Sequence, residues 1–361
     1  MKGKIFEHIE KYGHEELVFC HDKEAGLKAI IAIYDTTLGP AGGGTRRWVY
    51  ENEWDAIEDA MRLSRSMTYK YAAAGLNLGG GKAVIMVDDY DQKSESMYRS
   101  LGRFVNSLNG RFFTGEDVGT DARDLEYMAM ETPHVLGIPD PRTGKTECSP
   151  KTAFGVSQGM KACAEEVFPD KSLRDKIVAI QGTGNVGQYL IGELLKEGAK
   201  LIVTDISIER LKSVSNKYKG IETVGVEEIY SVKCDIFAPC ALGAILNDDT
   251  IPKLKCKIVA GSANNQLKEE RHGDLLHKMG ILYAPDYVIN VGGAVDDADS
   301  FEKGGYNYER AIKKVARIYD NVRKVISIAK REGVPAYRAA DVMVEERLER
   351  IRKIKRIGKS W

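Results

Sequence analysis

Short runs of apolar residues, separated by polar and glycine-rich stretches, mark the elements of the first third of the chain. Residues 17–20 (LVFC), 27–35 (LKAIIAIYD) and 82–89 (KAVIMVDD) are bounded apolar runs of strand length, which predicts strands. Residues 54–70 carry apolar positions at helical spacing and predict a helix. We therefore expect a mixed α/β domain here.

The apolar pattern changes in the second half of the chain. Strand-like runs at residues 176–181, 200–205, 234–239, 257–261 and 281–285 alternate with helical stretches. Apolar strands alternating with helices are typical of a parallel sheet covered on both faces. The sequence therefore predicts a doubly wound Rossmann domain.

Prolines and small polar residues gather at 132–152, which we interpret as a linker. Near the end, apolar residues at helical spacing over 312–329 precede a final predicted helix at 339–357. Such a helix can return to the first domain. We therefore expect two domains, one formed by residues 1–135 with 331–361 and the other by residues 136–330.

Composition narrows the possible partners. Among 361 residues, 53 Lys and Arg balance 53 Asp and Glu, so no net charge favours nucleic acid or a membrane surface. The basic segment 346–361 is interpreted as a solvated helix face, although a nucleic-acid patch is the alternative. No apolar run is long enough to span a bilayer, the start is too charged for a signal peptide, and the six cysteines form no Cys-x-x-Cys pair. We expect a cytoplasmic protein with reduced thiols and no metal site.

The most specific motif follows the strand-like run at 176–181. It reads Gly182-Thr183-Gly184-Asn185-Val186-Gly187 and leads into a helical stretch. Gly182 permits a tight turn, Gly184 lets the backbone approach a pyrophosphate, and Gly187 allows close packing of helix and strand. Asp205 ends the next strand, where its carboxylate would accept hydrogen bonds from ribose hydroxyls and repel a 2′-phosphate. NAD is therefore favoured over NADP, although the nearby Arg210 leaves dual use open.

Two lysines and one aspartate are candidates for the chemistry. Lys70 ends a predicted helix, and Lys82 follows three glycines. A lysine enclosed in an apolar cleft can have its pKa brought near working pH and act as a base, but spacing alone leaves open that both lysines are solvated. Asp117 lies in a glycine-bracketed loop and could shuttle a proton, or could only cap the loop; in an extended segment Glu116 would point the other way.

Several segments together resemble a known family: LGPAGGGTR, MTYKYAAAGLNLGGGKAVI, GRFFTGEDVGT, IFAPCALGAILND, AGSANNQL and YAPDYVINVGG. The chain resembles the leucine, valine and phenylalanine dehydrogenases, a branch of the glutamate dehydrogenase superfamily, and the leucine enzymes most of all. The resemblance implies a reversible, NAD-dependent oxidative deamination of an L-amino acid with an uncharged side chain. It also implies that residues 1–135 with 331–361 form the substrate-binding and oligomerisation domain, that residues 136–330 form the NAD-binding domain, and that a cleft separates them. The family forms closed homo-oligomers, often octamers.

The resemblance assigns roles to residues. Lys70 would hold the substrate carboxylate with the backbone near Gly43 and Gly44, Lys82 would activate water, and Asp117 would carry protons to and from nitrogen. It implies that Asn290 lies near substrate and cofactor, and it implies further cofactor contacts at Thr152, Cys240, Ala241 and Asn264.

Substrate choice is where the chain departs from the family. Gly42 stands where glutamate enzymes have a lysine for the distal carboxylate and leucine enzymes usually have leucine, and Gly115 replaces a usual alanine. Both changes remove side-chain volume, so we expect a branched-chain aliphatic substrate with an aromatic one as the alternative. Asp296 and Asp297 interrupt a run that is more apolar in the family. Two further hypotheses are a non-catalytic NAD-binding oligomer and a 2-hydroxy-acid dehydrogenase, although no histidine shows the acid-paired motif of the latter.

Overall fold

The computed structural model of the chain describes residues 4–138 and 147–354. Residues 139–146 of the predicted linker and residues 355–361 of the basic segment lie outside the described part. Of the described residues, 4–138, 300–307 and 345–354 form one compact unit, here called unit 1, and 147–299 and 308–344 form a second, called unit 2.

A five-stranded mixed sheet is the centre of unit 1. Its strand order is β1-β2-β4-β3-β5, with β2 antiparallel to both β1 and β4, and β3 parallel to both β4 and β5. The elements are α1 (Ile5–Tyr12), β1 (Glu16–Asp22), β2 (Leu27–Asp35), β3 (Ala41–Trp48), α2 (Glu53–Ala73), β4 (Gly79–Met86), α3 (Glu95–Ser107), β5 (Phe112–Glu116) and α4 (Ala122–Ala129).

Apolar side chains that point alternately to the two faces of the central strands form two hydrophobic cores in unit 1. Ile31 and Ile85 pack with Leu101 of α3 on one face, while Ile30 and Val84 pack with residues of α2 on the other. Successive strand residues point to opposite faces, so a strand that is apolar throughout is buried on both sides. Asn52 caps the start of α2 by accepting a hydrogen bond from Asp55 N at 3.1 Å.

A six-stranded parallel sheet forms unit 2, in the order β11-β10-β9-β6-β7-β8. The predicted doubly wound fold is confirmed. Its elements are α5 (Ser149–Val167), β6 (Ile177–Gln181), α6 (Asn185–Lys196), β7 (Lys200–Thr204), α7 (Ile208–Lys217), β8 (Glu222–Thr223), β9 (Ile236–Pro239), β10 (Ile258–Val259), α8 (Glu270–Lys278), β11 (Leu282–Tyr283), α9 (Asp286–Ile289), α10 (Gly292–Ala298), α11 (Tyr308–Ala316), α12 (Ile318–Glu332) and α13 (Ala336–Arg352).

The structure differs from the predicted elements at β3, at residues 312–329 and at the end of the predicted linker, where α5 begins at Ser149. Strand β3 was not predicted, because its three glycines disfavour a strand in isolation; it forms because β4 and β5 pair with it on both sides. The single helical pattern at 312–329 is two helices, and Arg317 N between them bonds to Lys314 O in a tight turn.

The unit boundaries also differ from the expected division. Residues 331–344, from the end of α12 into the first half of α13, lie with unit 2, and residues 300–307 lie with unit 1. The last helix is shared: residues of α13 from 345 onward belong to unit 1, and Val344 and Leu348 of this helix are buried. Among the described residues, no helix has the length and apolar character that crossing a bilayer requires.

Candidate active site

The close approach of helix α2 to strand β4 depends on Gly80. A Cβ atom at Gly80 would overlap the backbone and hydroxyl of Thr68, so only glycine permits this packing. Lys70 follows Thr68 by two residues in α2, and Lys82 follows Gly80 by two residues in β4. Residues i and i+2 of a strand share one face, so Lys82 projects from the face of the sheet that α2 covers.

Strand β3 brings the end of β5 to the same region. A Cβ at Gly43 would overlap a carbonyl oxygen of β4, and a Cβ at Gly44 would lie 2.9 Å from the Cβ of Asp117. Glycine at both positions therefore lets the residue that follows β5 come close to β3. The expected contact of Gly43 and Gly44 with a substrate carboxylate stays a prediction.

Lys82 and Asp117, both predicted as reacting groups, form an ion pair. Lys82 Nζ lies 2.9 Å from Asp117 Oδ1, and the lysine side chain is 4% exposed. Burial lowers the pKa of Lys82, and the attraction of the Asp117 carboxylate offsets only part of that effect. The amine of Lys82 therefore becomes neutral at a lower pH than an exposed lysine does, as a general base near neutral pH requires.

A chain of alternating charges continues from Asp117. Arg46 Nε donates to Asp117 Oδ2 at 2.9 Å, and Arg46 Nη1 donates to Asp59 Oδ2 at 2.9 Å. Tyr50 donates to the same Asp59 oxygen at 2.7 Å. We call Lys82, Asp117, Arg46, Asp59 and Tyr50 the Lys82 network. Burial would raise the pKa of Asp117, but the charges of Lys82 and Arg46 outweigh it and the pKa is lowered, so this carboxylate is ionised at neutral pH.

Three members of the network were not identified from the sequence: Tyr50, Arg46 and Asp59. Arg46 and Asp117 are 71 positions apart, and only the pairing of β3 with β5 brings them together. A signal was present, since Arg46 is a half-buried charge in a strand of mainly buried residues. Glu116 is exposed and Asp117 is not, in keeping with the expected alternation.

The two glycines expected to enlarge the substrate pocket have different surroundings. A Cβ at Gly115 would lie 3.5 Å from Leu136 O and 3.6 Å from Leu136 Cβ, so a methyl group fits there. A Cβ at Gly42 would lie 2.9 Å from Tyr71 Oη. The expectation of extra volume is therefore wrong at Gly42, because the Tyr71 side chain fills that space. Lys70, the preceding residue, is half-buried in the last turn of α2.

The glycine-rich turn of unit 2 has the geometry of a phosphate cradle. Gly182 has φ of 100°, which favours glycine, and a Cβ at Gly187 would overlap the Gly182 carbonyl. At Gly184 the space is open: within the described chain, the nearest atom to a Cβ there is Arg210 Nη1 at 4.0 Å. Helix α6 begins at Asn185, so its first N–H groups, at Asn185 and Val186, lie beside this open space. A pyrophosphate at this position stays a prediction.

The strand order of unit 2 places Cys240 and Ala241, which follow β9, next to the glycine-rich turn that follows β6. The chain leaves β6 toward β7 and β8, then returns to place β9 on the other side of β6. Cofactors bind at such a switch point, beyond the carboxyl ends of the strands. Cys240 N donates to Gln181 O at 2.7 Å, and a Cβ at Gly182 would lie 2.8 Å from Ala241 Cβ.

Asp205 lies beside the glycine-rich turn and holds it. Its Oδ2 accepts hydrogen bonds from Thr183 N at 2.7 Å and Thr183 Oγ1 at 2.9 Å, and its Oδ1 accepts one from Ser207 N at 2.8 Å. Burial would raise the pKa of Asp205, but these hydrogen bonds outweigh it and lower the pKa. Since a carboxylate oxygen has two lone pairs, Oδ1 keeps capacity for a ribose hydroxyl. Arg210 Nη1 lies 3.9 Å from Oδ1.

Two of the remaining predicted residues form a pair. Asn290 Nδ2 donates to Asn264 Oδ1 at 2.7 Å and to Ser262 O at 3.2 Å. Asn290 is buried, whereas Asn264 is exposed. Thr152, in the first turn of α5, lies against Gly293, where a Cβ would be 3.0 Å from Thr152 Oγ1.

Asp296 and Asp297, which interrupt the apolar run after the glycines, both have polar partners in unit 2. Asp296 Oδ2 lies 3.5 Å from Lys151 Nζ, and both side chains are at most 2% exposed. Cys148 Sγ donates to Asp297 Oδ1 at 3.4 Å. These three thiol and carboxylate groups lie within 4.8 Å of one another. Lys151 supplies the positive charge that a buried carboxylate requires, so the cluster is centred on a lysine–aspartate pair.

Known proteins resemble the chain over nearly its whole length. Residues 14–134 match the family Glu/Leu/Phe/Val dehydrogenase, dimerisation domain, and residues 144–353 match Glutamate/Leucine/Phenylalanine/Valine dehydrogenase. The leucine dehydrogenase of Thermoactinomyces intermedius is 59% identical over 97% of this chain and 95% of its own. The phenylalanine dehydrogenase of the same organism is 44% identical over 98% and 96%. The crystal structure of L-tryptophan dehydrogenase from Nostoc punctiforme is 45% identical with a TM-score of 0.86, covering 97% of this chain and 100% of that one.

Proposed function

Because this chain belongs to the Glu/Leu/Phe/Val dehydrogenase family, we propose that it catalyses the reversible, NAD-dependent oxidative deamination of a branched-chain aliphatic L-amino acid. The products are the 2-oxo acid, ammonium and NADH. The aliphatic substrate is favoured because identity to a leucine dehydrogenase is 59% and to a phenylalanine dehydrogenase 44%. As an amino-acid dehydrogenase, the enzyme uses a nicotinamide cofactor.

The observation that carries this proposal is the buried ion pair between Lys82 and Asp117, 2.9 Å apart. A surface lysine would have neither the lowered pKa nor the fixed partner. Lys70, which the resemblance assigns to the substrate carboxylate, would supply a positive charge from the end of α2. Acid–base groups and a carboxylate anchor are the parts that deamination requires of the protein.

Each reacting group has a chemical task. A nicotinamide cofactor held by the glycine-rich turn at Gly182–Gly187 would supply the acceptor for the hydride of the substrate Cα, which leaves an imine. Lys82, in its neutral form, takes a proton from water while the water oxygen attacks the resulting imine carbon. Lys82 passes this proton across its hydrogen bond to Asp117 Oδ1, and Asp117 delivers it to the nitrogen. Ammonia then leaves as the hydroxyl proton returns to Lys82 and the carbonyl forms.

NAD is proposed over NADP because of Asp205. A 2′-phosphate would come close to a carboxylate that is ionised and 4% exposed in its side chain, and the two like charges would repel each other. Arg210 is 56% exposed in its side chain and lies near the same carboxylate, so it is the group through which residual NADP use would occur. Comparing kcat/KM for the two cofactors tests this preference.

The first experiment is NAD reduction by the purified protein at alkaline pH with leucine, valine, isoleucine, phenylalanine, tryptophan and glutamate. We expect turnover to be fastest on the aliphatic set. The aromatic set is the second candidate, because a methyl-sized space remains at Gly115. In the variant Lys82→Ala, activity should be lost while NAD binding, measured by calorimetry, is kept. Binding of NAD without turnover of any substrate by the wild type would favour a non-catalytic protein.

We further propose a homo-oligomer assembled through unit 1, with eight subunits as the resemblance implies. The family matched by residues 14–134 is described as a dimerisation domain. Light scattering on the purified protein should report the mass of eight chains. The six cysteines are free thiols, which supports the proposal that the enzyme acts in the reducing cytoplasm.

A further inference from the structure

Gly42 faces a side chain, whereas Gly43 and Gly44, the two glycines that follow it, face backbone atoms. A Cβ at Gly43 or Gly44 would overlap backbone oxygen atoms of the neighbouring strands, so no side chain fits there. A Cβ at Gly42 would instead lie 2.9 Å from Tyr71 Oη, 3.1 Å from Cε2 and 3.2 Å from Cζ of the same residue. The space beside Gly42 is therefore taken by an aromatic side chain and not by the backbone.

The Tyr71 ring lies on the reactive face of the first sheet. Gly42 pairs with Gly80 in the register of β3 and β4, and laterally paired residues point to the same face. Gly80 shares that face with Lys82, two residues later. Tyr71 is 4% exposed and directly follows Lys70, the residue proposed to hold the substrate carboxylate. The substrate side chain and carboxylate share one Cα, so a wall beside Lys70 is within reach of that side chain.

We infer that the Tyr71 ring forms the wall of the substrate side-chain site at Gly42 and that it selects branched aliphatic over aromatic substrates. This inference rests on the proposed function and names a residue that sets its specificity. With the ring in place, the site gains only the methyl-sized space at Gly115. A difference of that size changes discrimination by a factor of about 10 to 200, whereas removal of the ring would open a space large enough for a phenyl group.

The test compares kcat/KM for phenylalanine with kcat/KM for leucine. In Tyr71→Ala, the ratio should rise at least tenfold over the wild type, through a lower KM for phenylalanine and a higher KM for leucine. Tyr69→Ala is the matched control, because Tyr69 is a buried tyrosine two residues earlier in α2 that bonds to Glu345 and Arg65 instead. The control should leave the ratio at its wild-type value even if its melting temperature falls.

A second pair of variants tests the same wall from strand β3. Gly42→Leu alone should lower kcat/KM for leucine at least tenfold, because the new side chain and the ring compete for one space. Gly42→Leu combined with Tyr71→Ala should recover most of the leucine activity and bring the ratio back toward the wild-type value. Recovery in the double variant is a readout that general destabilisation would not produce.

The outcomes separate this inference from the proposed function. If the wild type deaminates leucine but folded Tyr71→Ala keeps the wild-type ratio, the inference is wrong and the proposed function stands. If Tyr71→Ala does not fold, Tyr71→Leu, which keeps an apolar side chain, decides the ratio in its place. If the wild type deaminates no amino acid with an uncharged side chain, the proposed function fails first.

Discussion

Arg46 donates a hydrogen bond of 2.9 Å to Oδ2 of Asp117, the carboxylate oxygen opposite the one that contacts Lys82. Asp117 is therefore held on both sides by cations and cannot rotate without breaking one of two charge-assisted hydrogen bonds. Asp59 in turn holds Arg46 at 2.9 Å. The geometry of the Lys82–Asp117 ion pair thus depends on two residues that have no direct role in the proposed proton transfers.

Removal of the Arg46 charge should shift the pH dependence of catalysis upward. Arg46 favours the ionised form of Asp117 and disfavours the protonated form of Lys82, so the pKa of both groups should rise in Arg46→Gln. The ascending limb of kcat/KM against pH should move to higher pH, and activity at neutral pH should fall about tenfold or more.

The control is Arg99→Gln, which breaks an arginine–carboxylate pair with Glu131 at 2.6 Å elsewhere in unit 1. This variant should keep the wild-type pH profile. An unshifted ascending limb in Arg46→Gln would mean that the limb reports neither Lys82 nor Asp117.

The variant Asp117→Asn should shift the same limb in the opposite direction. Asp117 is the group that partly restores the pKa of buried Lys82, so its neutralisation should lower that pKa further and move the limb to lower pH. At the same time kcat should fall by a factor of about 10² to 10⁴, because the proton carrier is lost. Glu116→Gln removes the exposed neighbouring carboxylate and serves as the comparison. Shifts of the same sign in Asp117→Asn and Arg46→Gln would contradict this assignment.

Two glycines of the turn in unit 2 should respond differently to alanine. In Gly187→Ala, the methyl group would overlap the Gly182 carbonyl, so the protein without cofactor should lose about 1–3 kcal/mol of stability and melt at a lower temperature. In Gly184→Ala the methyl group has open space. That variant should melt like the wild type yet bind NAD more weakly, as calorimetry would detect. Equal melting and equal NAD affinity in Gly184→Ala would argue against a phosphate at this position.

Replacing only one member of the buried pair Lys151–Asp296 should lower the free energy of unfolding. Lys151→Met removes the cation that lies 3.5 Å from the buried Asp296 carboxylate, and breaking a buried pair on one side destabilises by about 3–5 kcal/mol. The double variant Lys151→Met with Asp296→Leu should recover most of that loss, since both charges of the pair are then replaced by apolar side chains. Lys161→Met is the control, because Lys161 pairs with Glu197 at a more exposed position, where a pair is worth about 0–1 kcal/mol. Thermal unfolding of the four proteins measures these differences.

The sequence was sufficient for features that a short stretch of chain encodes. Alternating strands and helices predicted the doubly wound sheet, because burial on both faces requires continuous apolar strands. The strand, the glycine-rich turn and Asp205 lie within about 30 residues, and their order alone predicted a dinucleotide site. The three-glycine segment at β3 was missed as a strand because its pairing partners, and not its own propensity, make it one.

What only the tertiary structure decided is which distant residues meet. Arg46 reaches Asp117 because β3 pairs in parallel with β5, and Tyr71 fills the space at Gly42 because Gly80 lets α2 lie directly on the sheet. Strand register and helix docking depend on the packing of the whole core, which no local pattern contains. The sequence by itself therefore determined the family and the fold and predicted the proposed reacting groups, while the structure decided what positions Asp117 and what fills the space beside Gly42.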